Sequence, residues 1–423
     1  IVMGYAPQKE EIVYFYGYNP TIDSAFLFKY NFNRKINTSD NWYDYTANLP
    51  KLGGNVGNLD VQTGYDMVVK VFPTDTNEVF ICGTNIYRSN TGFSKPIALS
   101  DWIGGYSSAN DVSKYTNHHP DQHQLIFFPS DPKKVLTSND GGVQVTSDIL
   151  GNSGKIESVS WTSLDNGYYT SQPYQVTFDP FGTSTNLIAG FQDNGSWSSS
   201  GEASISPWSE TGPGDGGFAG LYDGGKTRYV SFNYGNIYRL TYPAGSTDGG
   251  QPATVTYLSP TATGSTTGFA QIPFYTFDEN NKQVMYLPQA NFLWRNLHLD
   301  KIPVGNPNPT SIYWTKLKGT ILKDSNSYVT AVVTSRTAPS NRLYFGSSSG
   351  GIFKIDNSNI GDKPAEDIST GKNLPAGYVS SLTVDPADGD RVFAVFSNYG
   401  IKSVFYSKNA GKSWISISGN LEE

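Results

Sequence analysis

NHHPDQHQLIFFPSDPKKVLTSNDGGVQVTSD, from Asn117 to Asp148, holds one whole structural unit. Gln124–Phe128 is a short run of aromatic and branched apolar residues bounded by Pro129 and Asp131, which reads as a buried strand. Lys133–Ser138 is a second strand and Val143–Thr146 a third, with Asp140-Gly141-Gly142 as the tight turn between them. Glycine there supplies backbone angles that other residues avoid. In front of the first strand stand His118, His119, Asp121 and His123, so that three of the chain's four histidines fall within six consecutive positions.

The unit recurs. YDMVVKVFPTDTNEVFICGTNIYRSNTG (Tyr65 to Gly92), YQVTFDPFGTSTNLIAGFQDNGSW (Tyr174 to Trp197) and VSSLTVDPADGDRVFAVFSNYGIKSVFYSKNAGKSW (Val379 to Trp414) repeat its plan. Each has an apolar strand, a turn rich in Pro, Asp and Gly, a second strand, a polar turn and a third strand. With weaker copies included, units start near Met3, Tyr65, Gln124, Tyr174, Phe218, Phe269, Tyr328 and Val379. A spacing of roughly fifty residues is that of propeller blades. Runs such as Trp161–Leu164 and Trp414–Ile417 supply the fourth strand of each blade. The expected fold is therefore all-β, a β-propeller of four-stranded antiparallel blades across residues 1–423. Its eight repeats form a ring of seven or eight blades, or parts of two propellers.

Composition agrees with many short strands: 14% aromatic residues, 16% charged residues and 44 glycines leave little material for long helices. A net charge of −7 gives no electrostatic footprint for nucleic acid. The single cysteine, Cys82, lies inside an expected strand and reads as a buried free thiol. No apolar run is long enough to span a membrane as a helix. The chain starts at Ile1 on a blade's first strand and stops at Glu423 after a blade's last, and both ends read as processed or truncated. Low lysine content with abundant Asn, Thr, Ser, Tyr and Gly is the composition of an exported bacterial surface protein.

Blade topology turns motifs into positions. In an up-and-down blade, the loop entering the first strand and the turn between the second and third strands lie on one face. His118, His119, Asp121 and His123 should thus share a face with Asp140, with Gln192-Asp193-Asn194 and with Asp215, which enters the next first strand. Tyr168, Tyr169, Tyr174 and Trp197 fall near the same rim. Carboxylates and imidazoles beside aromatic planes suit a sugar, a metal ion or a peptide. The histidine loop could ligate zinc, but its spacing matches no common zinc signature, and we read it as a hydrogen-bonded network. Calcium on Asp140, Asp193 or Asp215 with backbone carbonyls is a further alternative, and no cofactor is required.

The opposite face carries Ser407-Lys-Asn409-Ala-Gly411-Lys-Ser-Trp414, in which a side-chain oxygen can close the turn while the indole packs between blades. Ser89-Asn90-Thr91-Gly92 is a degraded copy. These turns resemble those of the Asp-box propellers, with Asn409 in place of the usual aspartate. The runs HHPDQHQLIFFPSDPKKVLTSNDGGVQVTSD, WTSLDNGYYTSQPYQVTFDP, AGFQDNGSW and GDGGFAG resemble large secreted members related to sortilin-type and xyloglucanase-type propellers. Members with a terminal sorting domain are exported by the type IX pathway of gliding bacteria.

That resemblance implies a secreted or cell-surface location and a partner that is a glycan or a cell-surface or secretion-system protein. Xyloglucanase-type members use two aspartates, and GDGGF with Asp215 is similar to the segment carrying one of them. Asp140 or Asp193 is then the candidate partner in a glycoside hydrolase, at the carboxyl spacing of an inverting pair. Sialidases need a convergent arginine cluster, whereas Arg88, Arg239 and Arg295 fall in equivalent third strands and read as repeat structure. With no complete catalytic set visible, a binding or structural module is the favoured expectation.

Overall fold

Branched and aromatic residues in alternation, cut at short intervals by Pro, Asp and Gly, can bury one face only by pairing with their neighbours in sequence. The computed structural model describes residues 1–32, 41–51, 59–105, 114, 115, 117–152, 154–168, 171–180, 182, 185–200, 206–243, 250–261 and 268–421. Among these, 32 strands form eight four-stranded antiparallel sheets, each a meander in which consecutive strands pair. Helix is confined to single 3-10 turns among the described residues. Every sheet is a propeller blade. Their first strands begin at Val2, Val68, Gln122, Pro173, Ala219, Thr276, Val329 and Val379.

The blade around the quoted stretch comprises Gln122–Phe128, Asp131–Asn139, Gly142–Thr146 and Thr162–Ser163. Leu136 of its second strand sits across from Ile126 on one side and Val145 on the other. Leu125 and Val135 are fully buried whereas Ile126 is exposed, the period-two split that a blade face requires.

The chain divides into two compact units, Ile1–Thr170 with three blades and Ser171–Glu423 with five. Within the first, Val2–Ala6 packs beside Val68–Phe72, which meets Gln122–Phe128. Within the second, Pro173–Phe178 packs beside Ala219–Tyr222, and Thr276–Asp278 beside Val329–Thr334, which in turn meets Val379–Asp385. First strands are thus the ones that meet from blade to blade. The aromatic richness of the sequence goes into these seams: Tyr14, Tyr16, Phe80, Tyr87 and Trp102 are buried in the first unit, and Tyr229, Tyr286, Tyr344 and Phe345 in the second. Each such side chain removed from water contributes on the order of 2 kcal/mol. Cys82 is buried and free, and burial pushes its thiol pKa up, as befits an inert core residue.

Two side-chain types fasten successive blades. Arginines on third strands reach forward: Arg88 donates to the carbonyls of Ile149 and Leu150, Arg239 to those of Leu299 (2.8 Å) and Ile302 (3.3 Å), and Arg295 to those of Ser358 (2.5 Å) and Gly361 (2.7 Å). Tryptophans at the start of fourth strands reach back: Trp161 donates to Ile103 O (2.7 Å), Trp314 to Leu258 O (2.7 Å) and Trp414 to Ile368 O (2.9 Å). Both serve the same need, since carbonyls at blade edges are withdrawn from water and must be paired. The three arginines are therefore spent on the repeat, one seam each, and form no anion site.

GDGGF has an equally structural cause. A Cβ on Gly190 would collide with the carbonyls of Gly216 and Gly217, and one on Gly216 with the carbonyl of Gly195. Backbone lies directly on backbone where the fourth blade meets the fifth, and only glycine allows it. Gly190→Ala should cost about 2–4 kcal/mol in the second unit, as overpacking against main chain does. A denaturation midpoint unchanged from the parent would contradict this.

Candidate functional site

The loop 117–123 places its four acid and imidazole side chains in four different settings. His118 is buried. Its Nδ1 accepts the Gly105 N–H (3.1 Å), so Nε2 carries the proton and donates to Thr137 Oγ1 (2.9 Å), with the ring 4.2 Å from that of Trp161. Burial, reinforced by His119, pushes its pKa down to about 3 and keeps it neutral. His119 rests on the turn glycine, where a Cβ on Gly141 would strike its ring, and Nδ1 donates to Pro120 O (3.0 Å). Its carbonyl accepts from Gln122 Nε2 (2.7 Å). Asp121, at φ 64°, accepts from Gln62 Nε2 (2.7 Å). His123 reaches toward Asp140.

His123 Nε2 donates to Asp140 Oδ1 at 2.5 Å, which joins the strand-entry loop to the second-to-third turn on one end of the blade. Its Nδ1 points to a residue that sequence reasoning missed, Asp66, at 3.6 Å. Asp66 precedes the first strand of the neighbouring blade, its side chain is 0% exposed, and neither carboxylate oxygen has a hydrogen-bond partner among the described residues. Burial, with help from Asp121, Asp140 and Asp60 and against the pull of His123, pushes its pKa up to about 7. Asp121 is also raised, by burial and by Asp140. Tyr65 stands edge-on to His123 at 5.3 Å and is 74% exposed. Among the described residues, no group of three or more His, Cys, Asp or Glu side chains is arranged to hold a metal ion.

In the second unit, Asp215 Oδ1 accepts the N–H of Asp193 (2.8 Å) and Oδ2 accepts from Asn233 Nδ2 (3.0 Å). The carboxylate thereby fixes the turn Gln192-Asp193-Asn194, where Asp193 adopts φ 55° and Asn194 Nδ2 donates to Gln192 O (2.9 Å). Trp197 Nε1 donates to Asn194 O, so its polar edge is satisfied within the turn and its ring face is left for contact. Tyr174, near this turn, has a raised pKa, from burial first and then from Asp215 and Asp193. Tyr168 is exposed in the first unit, whereas Tyr169 lies outside the described residues.

Beside the Asn194 turn opens a cleft of about 560 Å³. Pro173, Val176, Phe191, Trp197 and Trp208 form its walls, with Ser171 and Asn194 as its polar groups. Phe191 and Trp208 meet edge to face at 6.2 Å, and Trp208 is 40% exposed. Among the described residues, no charged side chain lines it. Trp208 was not visible as a site residue in sequence, because it falls in an irregular stretch before the fourth strand.

At the other end of the eighth blade, on the third-to-fourth turn, Ser407 Oγ accepts the N–H groups of Asn409 (3.3 Å) and Gly411 (2.9 Å) and donates to Asn409 Oδ1 (3.0 Å). Asn409 Oδ1 also accepts from Ser413 N (3.0 Å). Ser89 repeats the pattern, accepting from Thr91 N (3.2 Å) and Phe93 N (2.9 Å). In both turns the serine hydroxyl ties the backbone of the turn together.

No family model matches the chain, and no curated protein matches it. Solved structures similar to it include the β-propeller domain of Cps50 (Swd1) from Myceliophteria thermophila, at 11% identity and a TM-score of 0.37 over 56% of this chain and 67% of that one. A chain of the Mitotic Checkpoint Complex matches at 11% and 0.38 over 70% and 75%, and the Dos1 propeller at 10% and 0.33 over 93% and 89%. Scores this low carry no argument about function. The propeller assignment rests on the eight meandering sheets and their seams.

Proposed function

We propose that this chain is a secreted or cell-surface β-propeller, of the Asp-box kind, that acts as a binding module for a glycan or a protein partner. The observation that carries the reading is the aromatic cleft of the fourth blade. Trp197 and Trp208 give it flat apolar faces, and Asn194 and Ser171 give it hydrogen-bonding groups at the edge. Binding sites for small ligands combine these two elements, and a volume of about 560 Å³ accommodates one or two sugar rings or an aromatic side chain. The turn at Ser407 supports the Asp-box reading, and the composition supports export. The reading requires no cofactor.

Paired-aspartate hydrolysis has no comparable support, because both oxygens of Asp215 hold a turn together. A glycan array combined with product analysis on polysaccharides tests both readings. Trp208→Ala should weaken the bound ligand by about tenfold or more, the value of a stacking aromatic, while the unfolding midpoint stays put. Release of products by the parent that is lost in Asp215→Asn, with the variant still folded, would establish the hydrolase instead.

A further inference from the structure

The acids around His123 outnumber the bases that face them among the described residues. We infer that the surface of the first unit around Tyr65, Asp121 and Asp140 binds one cationic side chain, a lysine or arginine of a protein partner, beside the His123–Asp66 pair. Four carboxylates act on this small region, those of Asp60, Asp66, Asp121 and Asp140, and the titratable bases facing them are His119 and His123. The cluster therefore carries surplus negative charge whenever the imidazoles are neutral.

Acid clusters on surfaces are common and by themselves mean little. Asp66 separates this one from the rest. It is buried, no hydrogen bond reaches it among the described residues, and the imidazole that bridges to Asp140 stands 3.6 Å away. A carboxylate held this way projects its field through low-dielectric surroundings instead of dissipating it in water. Asp140, with a third of its side chain exposed, is the direct acceptor for an incoming cation. The exposed Tyr65 ring offers a face for the methylene stem or for a cation–π contact. Nothing here suits an anion. Since no three ligands converge, a compact head with its own hydrogen-bond donors fits better than a bare metal ion.

The site is also tuned by pH. Protonation of Asp66, whose pKa is raised to about 7, removes one unit of that negative charge, so the cation should be held more tightly at about pH 8 than at about pH 5.5.

The test follows the histidine ring protons by NMR in the full chain, where only four histidines report and His123→Gln identifies the relevant signal. N-acetyl-lysine amide is the probe and N-acetyl-norleucine amide its neutral control. The lysine amide should give a saturable shift of the His123 signal in the millimolar range at about pH 8, weakened about fivefold or more by Asp140→Asn and by moving to about pH 5.5. Asp66→Asn, which removes a buried charge and so should not harm folding, should bind weakly at both pH values. The proposal is overturned by an equal response to the norleucine amide. It is also overturned by no saturation up to about 50 mM, or by saturation with calcium or a free polyamine but not with the lysine amide.

Discussion

Arg295→Ala is expected to destabilise the second unit by about 3–5 kcal/mol, the largest effect of any single side-chain truncation considered for this protein. The side chain is 5% exposed, and its Nη1 donates to Ser358 O and Gly361 O of the next blade. Hydrogen bonds from a charged donor contribute about 1.5–3 kcal/mol each. Their loss leaves two carbonyls of a buried seam without donors, and the truncated stem leaves a void beside Tyr286 and its partner Ser358. Burial works against the guanidinium, lowering its pKa, and Nε has no partner among the described residues, so part of the gain is already offset in the parent. Arg295→Lys should recover less than half of the loss, since the ammonium of the shorter side chain falls short of the Nη1 position that serves both acceptors. Arg391→Ala, at an exposed pair with Asp385 and Asp388, is the control and should stay within about 1 kcal/mol. Urea unfolding followed by tryptophan fluorescence reads all three. Equal midpoints for the Arg295 and Arg391 variants would mean that the seam is held by apolar packing alone.

The blades were legible in the sequence because period-two alternation and Pro/Asp/Gly turns are local signals, and eight near-copies reinforced one another. The same local logic exposed the recurring third-strand arginines and the Ser407–Trp414 turn as parts of the repeat. Sites were less legible, because they depend on side-chain direction across blades. His118, His119 and His123 look alike in a string. In space, however, the Gly105 N–H and Thr137 draw the first inward, the Pro120 carbonyl claims the second, and Asp140 claims the third. Asp66 precedes a strand as many aspartates do, and no neighbour in sequence reveals that it is sealed off. GDGGF invited a catalytic reading from its resemblance, whereas the contact of Gly216 and Gly217 with Gly190 explains the glycines through close packing.

Asp66 should also govern how the first unit's stability depends on pH. Its carboxyl titrates near 3.8 when unfolded and near 7 when folded, so between those values the folded state holds a proton that the unfolded state has released. The slope of unfolding free energy with pH is then negative: stability is highest below about pH 4 and is lost as pH rises through about 7. A shift of this size corresponds to at most about 4 kcal/mol, since each unit is worth about 1.4 kcal/mol. Glu78, buried 4.0 Å from Arg88 and raised to about 7, adds a slope of the same sign. His118 opposes them. Its pKa falls from 6.5 unfolded to about 3 folded, so it contributes stability that is present above about 6.5 and lost as pH falls toward 3. In the shared window the three partly cancel, and the parent should show a shallow profile that hides steep components. Asp66→Asn removes one component. The variant should be more stable than the parent by about 2–4 kcal/mol at about pH 8 and indistinguishable from it near pH 4. Thermal melts at a series of pH values provide the measurement, and a gap between variant and parent that stays constant with pH would show that Asp66 does not titrate between its two states. Unlike Glu78, which has Arg88 beside it, Asp66 has only the His123 imidazole as a basic neighbour among the described residues. Sites that give up stability in this way are where function is commonly found, which is why the cation test on the surface above Asp66 is the experiment to perform first.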